Sequence, residues 1–486
     1  MTILGIIFVP LALWAGTFRP RWLLPLLIVS SVFQAGAIMN VGAGGASSIG
    51  LMPYYFVAPV VCMRLFWDWA SGKGRPASHS CVGGFFGILG AFVVVAVLGV
   101  LILPASFQGI TVDVPREGIG NVGPLRPSFS NWGQAGYLGI NFLLIVYALK
   151  TTRRWAQVED AAKAVHLAAG LVVGLGIYQL ISLFYGLPYP DTVINNNLGA
   201  YQAYHQTLLD QVRMSSPFSE PSNFAAFLVS YLGFCVVLVG RRGAPIWASL
   251  WLGIVALCLL LSTSTTAYAA GGVLLGLLIV LALFGRVRAQ RAAARRYAAC
   301  LVLGVALAGA ALFLGAWLSG TSWRLRDVLE TATAFKSESQ SYQDRLGSDL
   351  RAVGILLDTG GLGAGLGSNR PSSFLTWLLS NTGVVGSGLF ILAFASLLRR
   401  AHVCVAASAL NERKRALISA ALWALAIHLV AKVISQPDLA FPTLWIWVLM
   451  LVVPMRVAWL DAQSDAARAP LSKNSLGNLR KAEQPT

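Results

Sequence analysis

The segment Arg213-Met-Ser-Ser-Pro-Phe-Ser-Glu-Pro-Ser-Asn-Phe224 sets one cation and one carboxylate around two prolines, directly ahead of an apolar run. Pro217 and Pro221 restrict the backbone, and a proline in the first turn is well tolerated, so a helix opens near Pro221 or Ser222. Glu220 stands at that N-terminus, where a carboxylate complements the helix dipole. The same carboxylate, held at a membrane surface, could accept a proton from a hydroxyl. Arg213 suits an anionic group of a substrate or a lipid headgroup. Residue type and spacing leave both pairs of readings open.

A second charged stretch covers residues 319–370. There Trp323, Leu325, Val328, Leu329 and Ala332 predict a short amphipathic helix. Ser341-x-x-Asp344 reads as a capping box opening another, with Leu346, Leu350, Val353 and Leu357 on its apolar face. Arg345 and Arg351, six residues apart, fall about 120° apart around that helix and so face differently. Arg345 could bind an anion or make an ordinary i, i+4 pair with Asp349. The run Gly360-Gly-Leu-Gly-Ala-Gly-Leu-Gly367 permits close backbone approach to a ligand, although a tight turn is the simpler account. It is no P-loop, because no Gly-Lys-Ser/Thr follows. Arg370 comes just after it and is a further candidate for substrate binding.

His428 and Lys432 sit four residues apart on one face of a later apolar run. Ionisable groups inside a span are costly, which makes both candidates for substrate contact. Snorkelling is the competing account of Lys432. Ser262-Thr-Ser-Thr-Thr266 offers hydroxyls to a ligand or to a helix end. No Asp-x-Asp and no cluster of His with carboxylates occurs in the long loops, so neither a metal nor a cofactor is expected. Acids are missing from the apolar runs, which weighs against a proton-coupled transporter.

The elements that must position these residues follow from composition. The chain has 486 residues, 56% of them hydrophobic and 11% charged, with mean hydropathy +0.69. Apolar runs of about 20 residues match a hydrocarbon core roughly 30 Å thick. Thirteen spans are expected, at 2–18, 22–39, 49–66, 81–104, 133–149, 164–186, 223–240, 244–261, 267–285, 297–318, 372–398, 416–434 and 443–460. The first lacks a basic flank and a small-residue cleavage site, and reads as a retained helix. Alternate loops are rich in Lys and Arg, and one side holds 26 of the 36 basic and 7 of the 19 acidic residues. The positive-inside rule makes that side cytoplasmic, with the N-terminus outside and the C-terminus inside. The net charge of +17 is therefore a topology signal facing anionic lipid, not a nucleic-acid surface. The expectation is an all-α polytopic membrane protein: one transmembrane domain over 1–460, long outer loops at 105–132, 187–222 and 319–370, and a disordered cytoplasmic tail at 461–486. The six cysteines imply no disulfide framework.

Over roughly residues 160–400 the chain resembles the O-antigen polymerase and ligase superfamily. The resemblance rests on Arg213 followed by Phe218-Ser-Glu-Pro-Ser-Asn-Phe-Ala225, on Leu261-Ser-Thr-Ser264, and on the large loop with Arg345 and Gly361–Gly367 ahead of a span carrying Gly383-Val-Val-Gly386. The Glu-Pro-Ser form is most similar to the exopolysaccharide polymerases. Two departures stand out. Ser372-Ser373 replaces the His-Asn pair usual in ligases, which argues against a ligase, and Thr265 stands where many members have an arginine. The resemblance implies a GT-C-like fold in the bacterial inner membrane. It implies metal-independent glycosyl transfer on the outer face, between an undecaprenyl-diphosphate-linked glycan donor and a lipid-linked acceptor repeat unit. A chain-length regulator and a flippase of the same pathway are the implied partners. In that frame Glu220 is the base, Arg345 stabilises the leaving diphosphate, and Arg213, Arg351, Arg370, Lys432 and His428 bind substrate. A ligase is the first alternative and a lipid-linked oligosaccharide flippase the second. No cavity-lining polar pattern or internal symmetry supports the latter.

Overall fold

The computed structural model describes the chain except residues 43–48, 73–80, 116–120, 199–206, 209–210, 240–245, 285–290, 293, 300, 304, 307–308, 311–339, 407–409 and 469–486. It is mostly helical. In chain order the helices are α1 (Ile3–Phe18), α2 (Leu23–Ser30), α3 (Tyr54–Ala70), α4 (Gly83–Ser106), α5 (Phe129–Thr151), α6 (Trp155–Tyr185), α7 (Asp191–Ile194), α8 (Pro221–Val239), α9 (Ile246–Leu261), α10 (Thr265–Phe284), α11 (Gln340–Asp358), α12 (Phe374–Ala406), α13 (Glu412–Ser435) and α14 (Pro442–Arg468). Among the described residues eight of these, α4, α5, α6, α8, α10, α12, α13 and α14, are long and apolar enough to cross a membrane; α1, α2 and α9 are shorter apolar helices. The span expected over 297–318 and the helix expected around Trp323–Ala332 fall wholly or partly outside the described residues.

Two expectations change. The run 22–39 does not continue as one helix, because α2 stops at Ser30. The Ser30 and Ser31 hydroxyls donate back to the Leu27 and Ile28 carbonyls at 2.9 and 2.6 Å, competing with further helical turns. The chain beyond then bonds elsewhere: Ala35 N–H to the Pro217 carbonyl at 2.9 Å and Ile38 N–H to Leu51 at 2.8 Å. The tail is also ordered at its start, since α14 runs on to Arg468. Asp461 accepts from Trp155 Nε1 and Lys414 Nζ, each at 2.7 Å, and this anchors the extra turns.

α8 is the central element. It is apolar around nearly its whole circumference and is buried along nearly its whole length, as expected for a helix without a polar face. It packs on α13, α9 and α10, while α12 packs on α4. Loops at the ends of the helices carry three short antiparallel hairpins, Met39–Val41 with Ile49–Leu51, Thr111–Asp113 with Val122–Pro124, and Thr207–Leu208 with Gln211–Val212.

α12 is broken at Gly383, whose φ of 65° and ψ of −172° are not helical. A Cβ there would run into the Gly361 and Leu362 carbonyl oxygens, and a Cβ on Gly363 would lie 2.7 Å from the Gly383 nitrogen. The glycine run is thus wedged into the break. Ala364 N–H bonds to Ser380 O at 2.7 Å, Gly365 N–H to Asn381 O at 3.1 Å, and Val384 N–H to Gly361 O at 2.9 Å. These bonds satisfy backbone groups that the broken helix leaves without intrahelical partners. The glycines here pack backbone on backbone rather than framing a ligand.

Candidate active site

The Arg213–Glu220 segment is held from three sides. Gln179, a buried amide on α6, accepts from the Ser215 and Ser216 backbone N–H groups at 3.0 and 2.9 Å. The Ser216 hydroxyl donates to the Val172 carbonyl at 2.7 Å. Pro217 is tied to Ala35 as described above. Ser216 has a φ of 53° and Thr263 a φ of 47°, the two non-glycine residues with positive φ among those described. For a β-branched residue such as Thr263 this is a genuine outlier, and such strain costs on the order of 1–3 kcal/mol. Thr263 is also where Arg213 is held: its Nε donates to the Thr263 hydroxyl and its Nη2 to the Thr263 carbonyl, both at 3.1 Å. The Ser262–Thr266 turn therefore clamps the arginine with a backbone oxygen as well as a hydroxyl.

Glu220 opens α8 through its backbone carbonyl, which accepts from Asn223 and Phe224 N–H groups at 3.1 and 3.2 Å. Its half-buried side chain does not cap the helix by hydrogen bonding. Oε2 accepts from the Ser222 hydroxyl at 3.0 Å, and among the described residues no backbone N–H bonds the carboxylate.

Arg345, on α11, acts electrostatically on Arg213. Burial, and then the neighbouring Arg345 charge, lower the Arg213 pKa from its ordinary value, while Tyr268 and Glu220 push it up. Arg345 and Glu220 thus each lie within electrostatic range of Arg213. Among the described residues Arg345 has no hydrogen bond or ion pair. The pair with Asp349 is not formed, because Asp349 Oδ1 is used elsewhere: it accepts from the Ser372 and Ser373 N–H groups at 3.0 Å and from Thr376 Oγ1 at 2.7 Å. It caps α12, as an acid at a helix N-terminus should.

Arg351 goes another way, as the angular spacing predicted. It makes a two-pronged pair with fully buried Asp113 on the hairpin of the 105–132 loop, at 2.5 and 3.3 Å, and the Ser348 hydroxyl adds a bond at 3.0 Å. Its Nε and Nη2 donors are engaged within the protein, and the geometry gives it the role of a clasp between loops rather than of a substrate ligand. Arg370 is tied to the same place through its backbone N–H, 3.1 Å from the Asp113 carbonyl. Its half-buried guanidinium has no partner among the described residues.

Lys432 is fully buried, so its ammonium does not snorkel. It donates to the carbonyls of Gln436, at 3.2 Å, and of Asp438, and lies 4.6 Å over the Phe374 ring. It closes the C-terminus of α13, where a cation is favoured. Gln436 in turn donates to Asn223 at 3.1 Å, three residues beyond Glu220. Lys432 therefore supports the mouth from behind. His428 is not brought there: its Nδ1 meets Ser230 Oγ at 3.0 Å between α8 and α13, about 15 Å along α8 from Glu220 at the usual helical rise.

A path of contacts results. It runs from Glu220 through Asn223, Gln436 and Lys432 to Phe374, then through Ser372, Ser373 and Asp349 to the helix that carries Arg345. Sequence reasoning missed Gln179 and Asp113, and marked Thr263 only as one of a run of hydroxyls, not as the partner of Arg213. Gln179 had a signal, being an amide inside an apolar run; Asp113, an acid in a loop without periodicity, had none. Among the described residues no group of three or more His, Cys, Asp or Glu side chains comes together. No protein-family model matches this sequence, and no curated protein matches it. The arrangement can hold a multiply charged anion between guanidinium groups and present one carboxylate to a hydroxyl beside it.

Proposed function

We propose that the chain is a membrane glycosyltransferase that polymerises undecaprenyl-diphosphate-linked repeat units of a polysaccharide. The observation carrying this reading is that Arg345 and Glu220 both lie within electrostatic range of Arg213, with Arg345 lacking any counter-ion among the described residues. In the reaction, the acceptor hydroxyl oxygen bonds to the donor's anomeric carbon. The bond from that carbon to the diphosphate oxygen breaks, and undecaprenyl diphosphate leaves. Glu220 takes the hydroxyl proton. Arg345 and Arg213 offset the charge growing on the departing diphosphate, with forked contacts that an ammonium cannot reproduce. Lipid anchors confine both substrates to the plane of the mouth, so positioning supplies part of the rate. On this reading the fold is GT-C-like with up to thirteen spans. It lies in a bacterial inner membrane with the N-terminus and long loops outside and the C-terminus in the cytoplasm.

The test is polymerisation by purified protein supplied with lipid-linked repeat units. A ladder of lengthening lipid-linked chains is expected. Transfer of preformed chains to a different lipid, with no lengthening, would replace this reading by a ligase. Reporter fusions check orientation: residue 290 should read as cytoplasmic and residue 340 as outside, and an exterior reading at 290 would overturn the arrangement.

A further inference from the structure

The apolar face that the spacing in α11 predicts, Leu346, Leu350, Val353 and Leu357, is turned away from the protein. They are 44%, 63%, 43% and 73% exposed, whereas Ser348, Ala352 and Ile355 are 0%, 1% and 2% exposed. The rotation is held by polar bonds. Ser348 and Arg351 grip Asp113, and Asp349 caps α12. Turning the leucines inward would break all of these.

At about 100° per residue the helix divides into three faces, not two. Arg345, Ser348, Asp349, Ala352 and Ile355 form the inward face. The four apolar residues centre about 130° from it. Asp344 and Asp358, both exposed, lie on a third side, with Arg351 between them. A helix with protein on one side and water around the rest needs one polar outer face. Separate apolar and charged faces fit a helix at a boundary between two media.

Its position agrees. After Gly360 the chain reaches Gly361, bonded to Val384 N–H of α12, about 15 Å along that membrane-crossing helix from its start. Next to it Leu362 is 55% exposed, beside Val385 of α12 and Leu98 and Ile102 of α4, and these residues line a shared groove of about 180 Å³. The apolar stripe of α11 thus ends against the surface that hydrocarbon covers on two spanning helices.

We propose that α11 lies in the membrane interface, with the Leu350, Val353 and Leu357 stripe in the hydrocarbon of the leaflet nearest the long loops and Asp344 and Asp358 in water. The occupant of the stripe is lipid. Arg345, on the inward face, is then held at the depth of lipid phosphates. The inference uses no assumption about the reaction and stands if the glycosyl-transfer reading fails.

Carbene footprinting of the full-length protein in lipid nanodiscs tests it without substitutions. A phospholipid carrying a diazirine on its acyl chain should label Leu350, Val353 and Leu357, along with Leu98 and Ile102, several-fold more than a water-soluble diazirine does. The water-soluble probe should prefer Asp344 and Asp358. Labelling of the leucines chiefly from water overturns the proposal and lifts the helix into solvent. Labelling of the leucines by neither probe also overturns it, and shows the stripe covered by protein, either residues 311–339 or a second copy of the chain.

Discussion

The two stretches that carry the candidate charges are held by opposite means. Arg213 and Glu220 belong to a short segment fixed by its own backbone: two N–H groups on Gln179, a carbonyl on Ala35, a strained Ser216, and α8 opening immediately after. Arg345 belongs to a helix fixed by its rotation, through one clasp to Asp113 and one cap onto α12. The first stretch tolerates little change because the atoms that hold it are its own main chain. The second can be loosened by a side chain far from the mouth. On the proposed reading, a rigid carboxylate and an adjustable cation suit a site that admits and releases a large lipid-linked substrate.

That contrast can be broken most severely at Arg345. Arg345→Ala should lower polymer formation by about 10³-fold, the loss typical for removal of a transition-state charge partner, with unchanged membrane abundance. Arg345→Lys should recover little of it, because an ammonium is a point charge. Near wild-type rates in Arg345→Lys, measured on the purified protein, would send the search for the anion site elsewhere.

Glu220→Gln comes next. It keeps the shape and the Ser222 contact and removes the proposed base, so a loss of about 10²-fold in kcat is expected. If turnover is retained, the carboxylate serves the helix dipole alone.

Asp113→Asn should act through the helix. It removes the charge from the clasp with Arg351 and leaves Arg345 chemically intact, so a loss of about tenfold in kcat/KM is expected, scaled to one charged contact. Hydrogen exchange should quicken across 345–356 and stay unchanged across 213–224. Equal quickening in both stretches would erase the distinction drawn between them.

The smallest effect on activity should come from Lys432→Met. It leaves two buried carbonyls without their donor and should cost about 1–3 kcal/mol of stability, read as a lower unfolding temperature in detergent. Turnover per folded molecule should hardly change. A selective loss of activity at unchanged stability would instead bring Lys432 into contact with substrate.

Much of this protein is legible along the chain. Apolar run length marks the spanning helices because a helix in lipid must be apolar over the thickness it crosses. Pro221 marks the start of α8 because proline suits a first turn. The angular separation of Arg345 and Arg351 follows from helical geometry, and the two residues do part company as it requires. What periodicity could not supply is the medium on each side of a helix. A leucine stripe looks the same whether it meets protein or lipid, so the rotation of α11 was decided by Asp113 and Asp349, whose partners lie 238 and 23 residues away. Nor could spacing show that a turn of hydroxyl residues would offer Arg213 a carbonyl from a strained Thr263, because positive φ in a β-branched residue runs against local preference and persists only when the surroundings impose it. The types of the charged groups and the helices that carry them were set by local sequence. Which charges face one another, and which are spent on holding the scaffold, was set by contacts between segments distant along the chain, because ion pairs and caps depend on positions in space.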